Sequence, residues 1–243
     1  MLIINALAID MEWDFQFRFD KTYGETFYKD DGKKMTATMM FNKEVASPNI
    51  AYYQDDNITA LSMNLKEYNG TQLEFMAIMP KENLSAYVEN VSKEQISEID
   101  KQLKLSSEVV YGVNVKIPKF KFSYDLELKQ DLINLGIKEA FNNSANFSKM
   151  AESNDLYVSD ALHKADIEFT EEGVKAAAVT VIIMMTKAFK LPKETHPVDI
   201  VINKPFMFVI RDKNTKDIWF TGTVYEPNSW EDDKEEYSLS RGF

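Results

Sequence analysis

The chain has 243 residues, no cysteine and two histidines, and its 28 basic against 39 acidic residues give a net charge of −11. That charge opposes binding to phosphate backbones and anionic lipid, so neither nucleic acid nor a membrane surface is an expected partner. The missing thiols remove disulfides, iron–sulfur clusters and thiolate zinc sites, and 44% hydrophobic residues suit an ordinary folded domain.

In chain order, the N-terminal Met1 to Asp10 lacks the basic stretch and small-residue cleavage site of a signal peptide and reads as strand almost from its first residue. Lys34 to Phe41 is a strand candidate. Leu61, Met63 and Leu65 alternate with polar residues, Asn69-Gly70 follows, and Leu73 to Met79 completes a long antiparallel hairpin. Leu84, Val88 and Val91 have helical spacing behind a capping Asn83. Ile96, Ile99 and Leu103 form a second helix, opened by a Ser92/Gln95 capping box.

Period-two alternation at Val109, Tyr111, Val113, Val115 and Ile117 predicts a half-buried strand. Leu128, Leu132 and Leu135 suit a third helix, ended by Gly136. Phe206 to Ile210 and Ile218 to Tyr225 flank the polar turn Asp212 to Asp217 and form a second hairpin. The acidic stretch Glu231 to Glu236 belongs to a tail, 228–243, expected to be flexible. Many strands with a few short helices place the chain in the α+β class, with multi-stranded antiparallel sheets in one domain over 1–243.

Catalytic signatures are missing. There is no Gly-rich phosphate loop and no G-x-S-x-G, and His163 and His196 lie far apart, so neither an enzyme nor a metal or cofactor site is expected. The carboxylate pairs Asp55-Asp56 and Glu231-Asp232-Asp233 read as solvated surface. Six N-x-[ST] sequons, Asn57 and Asn69 among them, matter only in a eukaryotic secretory pathway.

The unusual stretch is Thr170 to Pro197. Thr170 can cap a helix through Glu172, and the apolar run from Ala176 to Met185 fits a buried helix or a strand. At about half the ~20 residues a spanning helix needs, and interrupted by Thr180, that run does not cross a membrane. Periodicity does not decide between these, but Gly173 and Thr180 interrupt a helix and beyond Met185 the chain turns polar and proline-punctuated, so a strand-capable run joined to a long exposed loop is the alternative.

Several ordered motifs resemble the serpin family of serine protease inhibitors. Glu171-Glu172-Gly173-Val174-Lys175-Ala176-Ala177-Ala178 is similar to the family's hinge, and Ile200-Val201-Ile202-Asn203-Lys204-Pro205-Phe206-Met207-Phe208-Val209-Ile210 to its C-terminal signature. Leu162 to Ala165 resembles the strand before the hinge, and Asn5 to Trp13 the third strand of the central sheet with the tryptophan that follows. Ile117-Pro118-Lys119-Phe120 and Leu132 to Phe141 fit as well. The resemblance covers nearly the whole chain but only the C-terminal portion of the family. It implies an N-terminally truncated serpin-like domain with an exposed apolar patch and an unpaired strand edge where the missing elements belong.

The resemblance further implies a reactive loop over 170–199 that a target protease cleaves and that then enters the central sheet as an extra strand. Alternate side chains of an inserting strand enter a packed interior, which suits Val174, Ala176 and Ala178 and leaves Lys175 toward solvent. The family's hinge-to-bond distance places the reactive bond at Lys187-Ala188, with Met185 and Lys190 as alternatives, and a lysine there implies a trypsin-like serine protease as partner. Asn5 and His163 are implied to meet in the polar cluster that governs sheet opening, with the family's serine partner missing, and Trp13 to pack at the top of the sheet. An extracellular location follows by resemblance only. The alternative is a non-inhibitory remnant or binding domain whose loop is merely a substrate.

Overall fold

The computed structural model of the protein describes residues 1–150, 156–175 and 196–227. In chain order the strands are β1 (Leu2–Ala8), β2 (Met11–Glu12), β3 (Thr22–Tyr28), β4 (Lys34–Val45), β5 (Ile50–Gln54), β6 (Ile58–Asn64), β7 (Leu73–Pro80), β8 (Lys104–Leu105), β9 (Val113–Pro118), β10 (Phe120–Glu127), β11 (Asp160–Phe169), β12 (Gly173–Lys175), β13 (Val198–Val201), β14 (Phe206–Asp212) and β15 (Ile218–Val224). The helices are α1 (Leu84–Asn90), α2 (Lys93–Gln102) and α3 (Lys129–Asn134). The expected α+β class is observed. The chain divides into two compact units, one of Met1–Ile9 with Lys121–Glu168 and the other of Asp10–Phe120 with Phe169–Phe243.

In the first unit β11 lies between β1 and β10. The β1–β11 pair is parallel, a departure from the antiparallel pattern expected of the sheets. Its buried apolar residues are small or few, among them Val158, Ala161, Ala165 and Ile167, whereas Leu2, Ile3, Ile4, Leu135 and Met150 are exposed. The helix predicted from Leu128, Leu132 and Leu135 exists as α3, but none of its residues is buried and Leu135 beyond it is 80% exposed. Its apolar spacing is that of a core-facing helix, yet here the stripe has little core to face.

The second unit carries two sheets. In the six-stranded one, ordered β15-β14-β7-β6-β5-β8, every residue of β6 and β7 is buried, because both faces are covered. One face, built from Ile58, Ala60, Met76, Ile78, Met207 and Val209, packs against Leu84 of α1 and Ile96 and Ile99 of α2. Asn83 caps α1 by accepting from the Ala86 amide at 3.2 Å. Ser92 and Gln95 make the reciprocal box that starts α2. At the end of this face, buried Arg211 donates to Glu74 at 2.7 Å and also to Asp100 of α2, tying the helix to the sheet.

The opposite face carries an aromatic cluster. Phe169 packs on Phe75 at 4.6 Å, stacks on Phe120 at 4.7 Å and meets Trp13 edge-on at 4.9 Å. Both predicted hairpins are present: β6–β7 turns at Asn69-Gly70, and β14–β15 spans the polar turn after Asp212. The second sheet has the order β13-β9-β4-β3, in which β13 and β9 run parallel. The strand expected from Val109 begins only at Val113. The Gly112 amide donates to the Val109 carbonyl at 2.9 Å with φ of +68°, so Val109 to Gly112 form a turn that the apolar alternation conceals.

Candidate functional site

The acidic pair singled out in the sequence sits at the tip of a tight turn. Leaving β11 at Phe169, the chain reverses between Thr170 and Gly173, whose ends are joined by a 3.0 Å bond from the Thr170 amide to the Gly173 carbonyl. The segment Trp13 to Phe17 straps this turn down. Trp13 Nε1 donates to the Thr170 carbonyl at 2.9 Å, the Trp13 amide to the Glu172 carbonyl at 2.8 Å and the Phe17 amide to the Glu171 carbonyl at 2.9 Å. Gln16 adds a bond to the Glu172 carbonyl at 3.3 Å. Trp13 itself is fully buried, so its indole N–H requires a partner, and the turn supplies one.

The two glutamates have different surroundings. Glu172 is only half-buried, whereas the Glu171 side chain is 2% exposed and forms an ion pair with Lys119 at 3.0 Å. Lys119 was part of a matching motif in the sequence, but no local signal couples it to Glu171 across half a hundred residues. A buried carboxylate without such a cation would be strongly disfavoured, so the pair fixes where the turn can sit.

Gly173 is required by a close approach. A Cβ there would lie 2.2 Å from the Met11 carbonyl oxygen and 2.6 Å from the Glu12 Cα. Freed of a side chain, the backbone pairs antiparallel with β2, Gly173 opposite Glu12 and Val174 opposite Met11, and Val174 is completely buried. Ala176, Ala177 and Ala178, the expected bond at Lys187-Ala188 and the alternatives Met185 and Lys190 lie outside the described residues, as does the tail 228–243.

The chain is anchored again beyond that segment. β13 runs parallel to β9, the Val198 amide donates to the Gly112 carbonyl at 3.2 Å, and Asn114 Nδ2 donates to Asp199 at 2.7 Å. The residues 176–195 thus join two strands that are each held in the second unit.

In the first unit, β1 and β11 form a seven-residue parallel ladder from Leu2–Asp160 to Ala8–Asp166, in which Asn5 stands opposite His163. The two residues are therefore register neighbours, with His163 half-buried. Below this ladder the Met1 ammonium donates to the Tyr157 carbonyl at 2.8 Å, and the Met1 carbonyl accepts from the Ser159 amide at 2.7 Å. Among the described residues no group of three His, Asp or Glu side chains is placed to hold a metal ion. None of their helices is long and apolar enough to cross a membrane.

The chain is similar to known proteins in sequence and in fold. A serine protease inhibitor of the jellyfish Cyanea capillata is 32% identical over 228 residues, which is 93% of this chain and 57% of that protein. Human thyroxine-binding globulin, solved with its ligand, superposes with a TM-score of 0.74 at 25% identity over 94% of this chain and 56% of its own. Serpin48 of the beetle Tenebrio molitor, described as a highly specific serpin, gives a TM-score of 0.71 at 27% identity over 93% and 56%. The chain thus spans somewhat over half the length of the relatives it matches. The family model described as serpin (serine protease inhibitor) matches residues 1–227, and the chain belongs to that family.

Proposed function

We propose that this protein acts as bait for a trypsin-like serine protease, presenting the segment 176–195 with Lys187-Ala188 as the bond attacked. The protease serine would add to the Lys187 carbonyl, expel the Ala188 amine and remain as an ester on Lys187. The observation that carries the reading is the parallel β1–β11 ladder together with a hinge that starts at the end of β11.

A chain that reverses at Gly173 runs opposite to β11, and hence opposite to β1, which is parallel to it. If the cut segment entered between them, one parallel pairing would be exchanged for two antiparallel ones, each slightly more stable per residue and burying more apolar surface. That gain would drive the acylated protease away from its substrate position. Val174, already buried beside Met11, would be the first residue of the entering strand, and Asn5 and His163 mark the middle of the ladder that must open.

A second reading is favoured by one observation: a structural neighbour is thyroxine-binding globulin in complex with thyroxine. On this reading the scaffold is retained and the loop is only a substrate.

Incubation with trypsin separates the two. An SDS-stable adduct at the summed mass, with cleavage after Lys187 and loss of the adduct in Lys187→Ala, supports bait-and-trap inhibition. Cleavage without adduct and without a rise in melting temperature supports the second reading and overturns the first.

A further inference from the structure

We infer that Gln16 is a positioning residue for the hinge: its side-chain amide clasps the turn Thr170 to Gly173 to Glu12 of β2, and so sets how often the cut segment folds back before the protease is released. This rests on the loop reading proposed above and adds to it a residue outside the hinge motif. Gln16 Nε2 lies 3.2 Å from Glu12 Oε2 and 3.3 Å from the Glu172 carbonyl oxygen, so its two N–H groups serve both acceptors. Glu12 is also the residue that stands opposite Gly173 in the β2–β12 pair. One amide therefore joins the turn to the strand on which the hinge lies.

Both ends of the clasp are held. The Gln16 carbonyl accepts from Asn42 Nδ2 at 3.1 Å, Asn42 being buried on β4, and Trp13 and Phe17 on either side of Gln16 are buried as well. Glu12 is fixed by Lys66, whose Nζ lies 2.6 Å from the same Oε2 and whose amide donates to the Glu12 carbonyl at 2.8 Å. The bond from Gln16 to that carboxylate is charge-assisted, and the Glu172 carbonyl takes a second donor, the Trp13 amide, at 2.8 Å. All of these groups belong to the second unit.

A strand that grows from a pair already formed avoids the closure entropy that otherwise precedes any reward from pairing. Val174, buried opposite Met11, is such a pair, and it persists only while the turn and β2 keep their register. Insertion competes with hydrolysis, in which water adds to the Lys187 ester carbonyl, the protease serine leaves with a proton and Lys187 is left as a carboxylate. Loosening the clasp slows the first and leaves the second alone, so more of the chain ends cleaved and free. Attack on Lys187, fourteen residues beyond Gly173, does not pass through the clasp.

The test incubates the full chain with trypsin and scores both the rate of cleavage after Lys187 and the ratio of adduct to cleaved chain. Gln16→Ala removes the clasp, and Gln16→Glu, of the same shape, turns a carboxylate toward Glu12 and the Glu172 carbonyl. Both should keep the cleavage rate and lower the ratio about fivefold, the factor that one net hydrogen bond is worth. Gln16→Lys, which still donates, should restore the ratio. Without protease, the Trp13 and Phe17 amides, which donate to the Glu172 and Glu171 carbonyls, should exchange about fivefold faster in the first two variants, with the β14 amides unchanged. A wild type cleaved without adduct overturns the loop reading and the trapping role of Gln16 with it. Adduct in the wild type with the same ratio in Gln16→Ala and Gln16→Glu, or with unaltered exchange at Trp13 and Phe17, overturns this inference alone. A lower ratio that Gln16→Lys does not restore, or a cleavage rate that falls alongside it, overturns it as well, since a merely structural role would do the same.

Discussion

Replacing Lys119 by methionine isolates the contact that fixes the hinge turn. The substitution keeps the unbranched stem and the backbone bond from Lys119 to the Thr38 carbonyl, but removes the ammonium 3.0 Å from a Glu171 carboxylate that is 2% exposed. At an effective dielectric constant of about 20, charges at that distance attract by roughly 5 kcal/mol before desolvation is subtracted. Deleting one partner of such a buried pair costs about 3–5 kcal/mol, because the remaining charge stays buried without compensation. For a chain of this size that corresponds to a melting temperature lower by roughly 6–20 °C.

Glu171→Leu should cost less, since the Lys119 side chain, 15% exposed, can still reach water. The double variant should recover about 2 kcal/mol relative to the sum of the single ones. Urea unfolding followed by tryptophan fluorescence gives these numbers, and hydrogen exchange localises them. The Trp13 and Phe17 amides, which donate to the hinge carbonyls, should exchange about a hundredfold faster in Lys119→Met if local opening is eased by roughly 3 kcal/mol. A stability change below about 1 kcal/mol with both amides still protected would refute the argument that this pair holds the turn.

Gly173→Ala should lower stability by about 1–3 kcal/mol, because its Cβ has no space beside Met11 and β12 must lift from β2; an unchanged melting temperature would show that the strand pair yields freely. The Asp212 carboxylate lies below its ordinary range because it accepts from the Thr215 and Asn214 amides, each at 2.8 Å. Its folded value being the lower one, its contribution is present above about pH 3.9 and is lost as pH falls through the folded value. The wild type should therefore exceed Asp212→Ala in unfolding midpoint at neutral pH and converge on it in acid, and a gap constant down to strongly acidic pH would contradict this.

Local chemistry was legible from the residues alone. Asn69-Gly70 announced its hairpin, Ser92 with Gln95 announced the start of α2, and Asn83 that of α1, since each of these signals acts within four residues. Where a local pattern was read without its surroundings it overreached: the alternation through Val109 and Tyr111 hid the turn at Gly112, and the stripe in α3 promised a core that its unit does not provide.

The hinge motif and C-terminal signature sufficed to indicate the family, because those stretches are contiguous in the chain. Other features were decided by tertiary structure alone. Nothing in the sequence near Glu171 shows that Lys119 neutralises it, or near Thr170 that Trp13 is its donor. Those partners are separated by tens to more than a hundred residues, and their pairing is set by how the sheets close over the buried aromatic cluster and by the requirement that each buried polar group find a partner there.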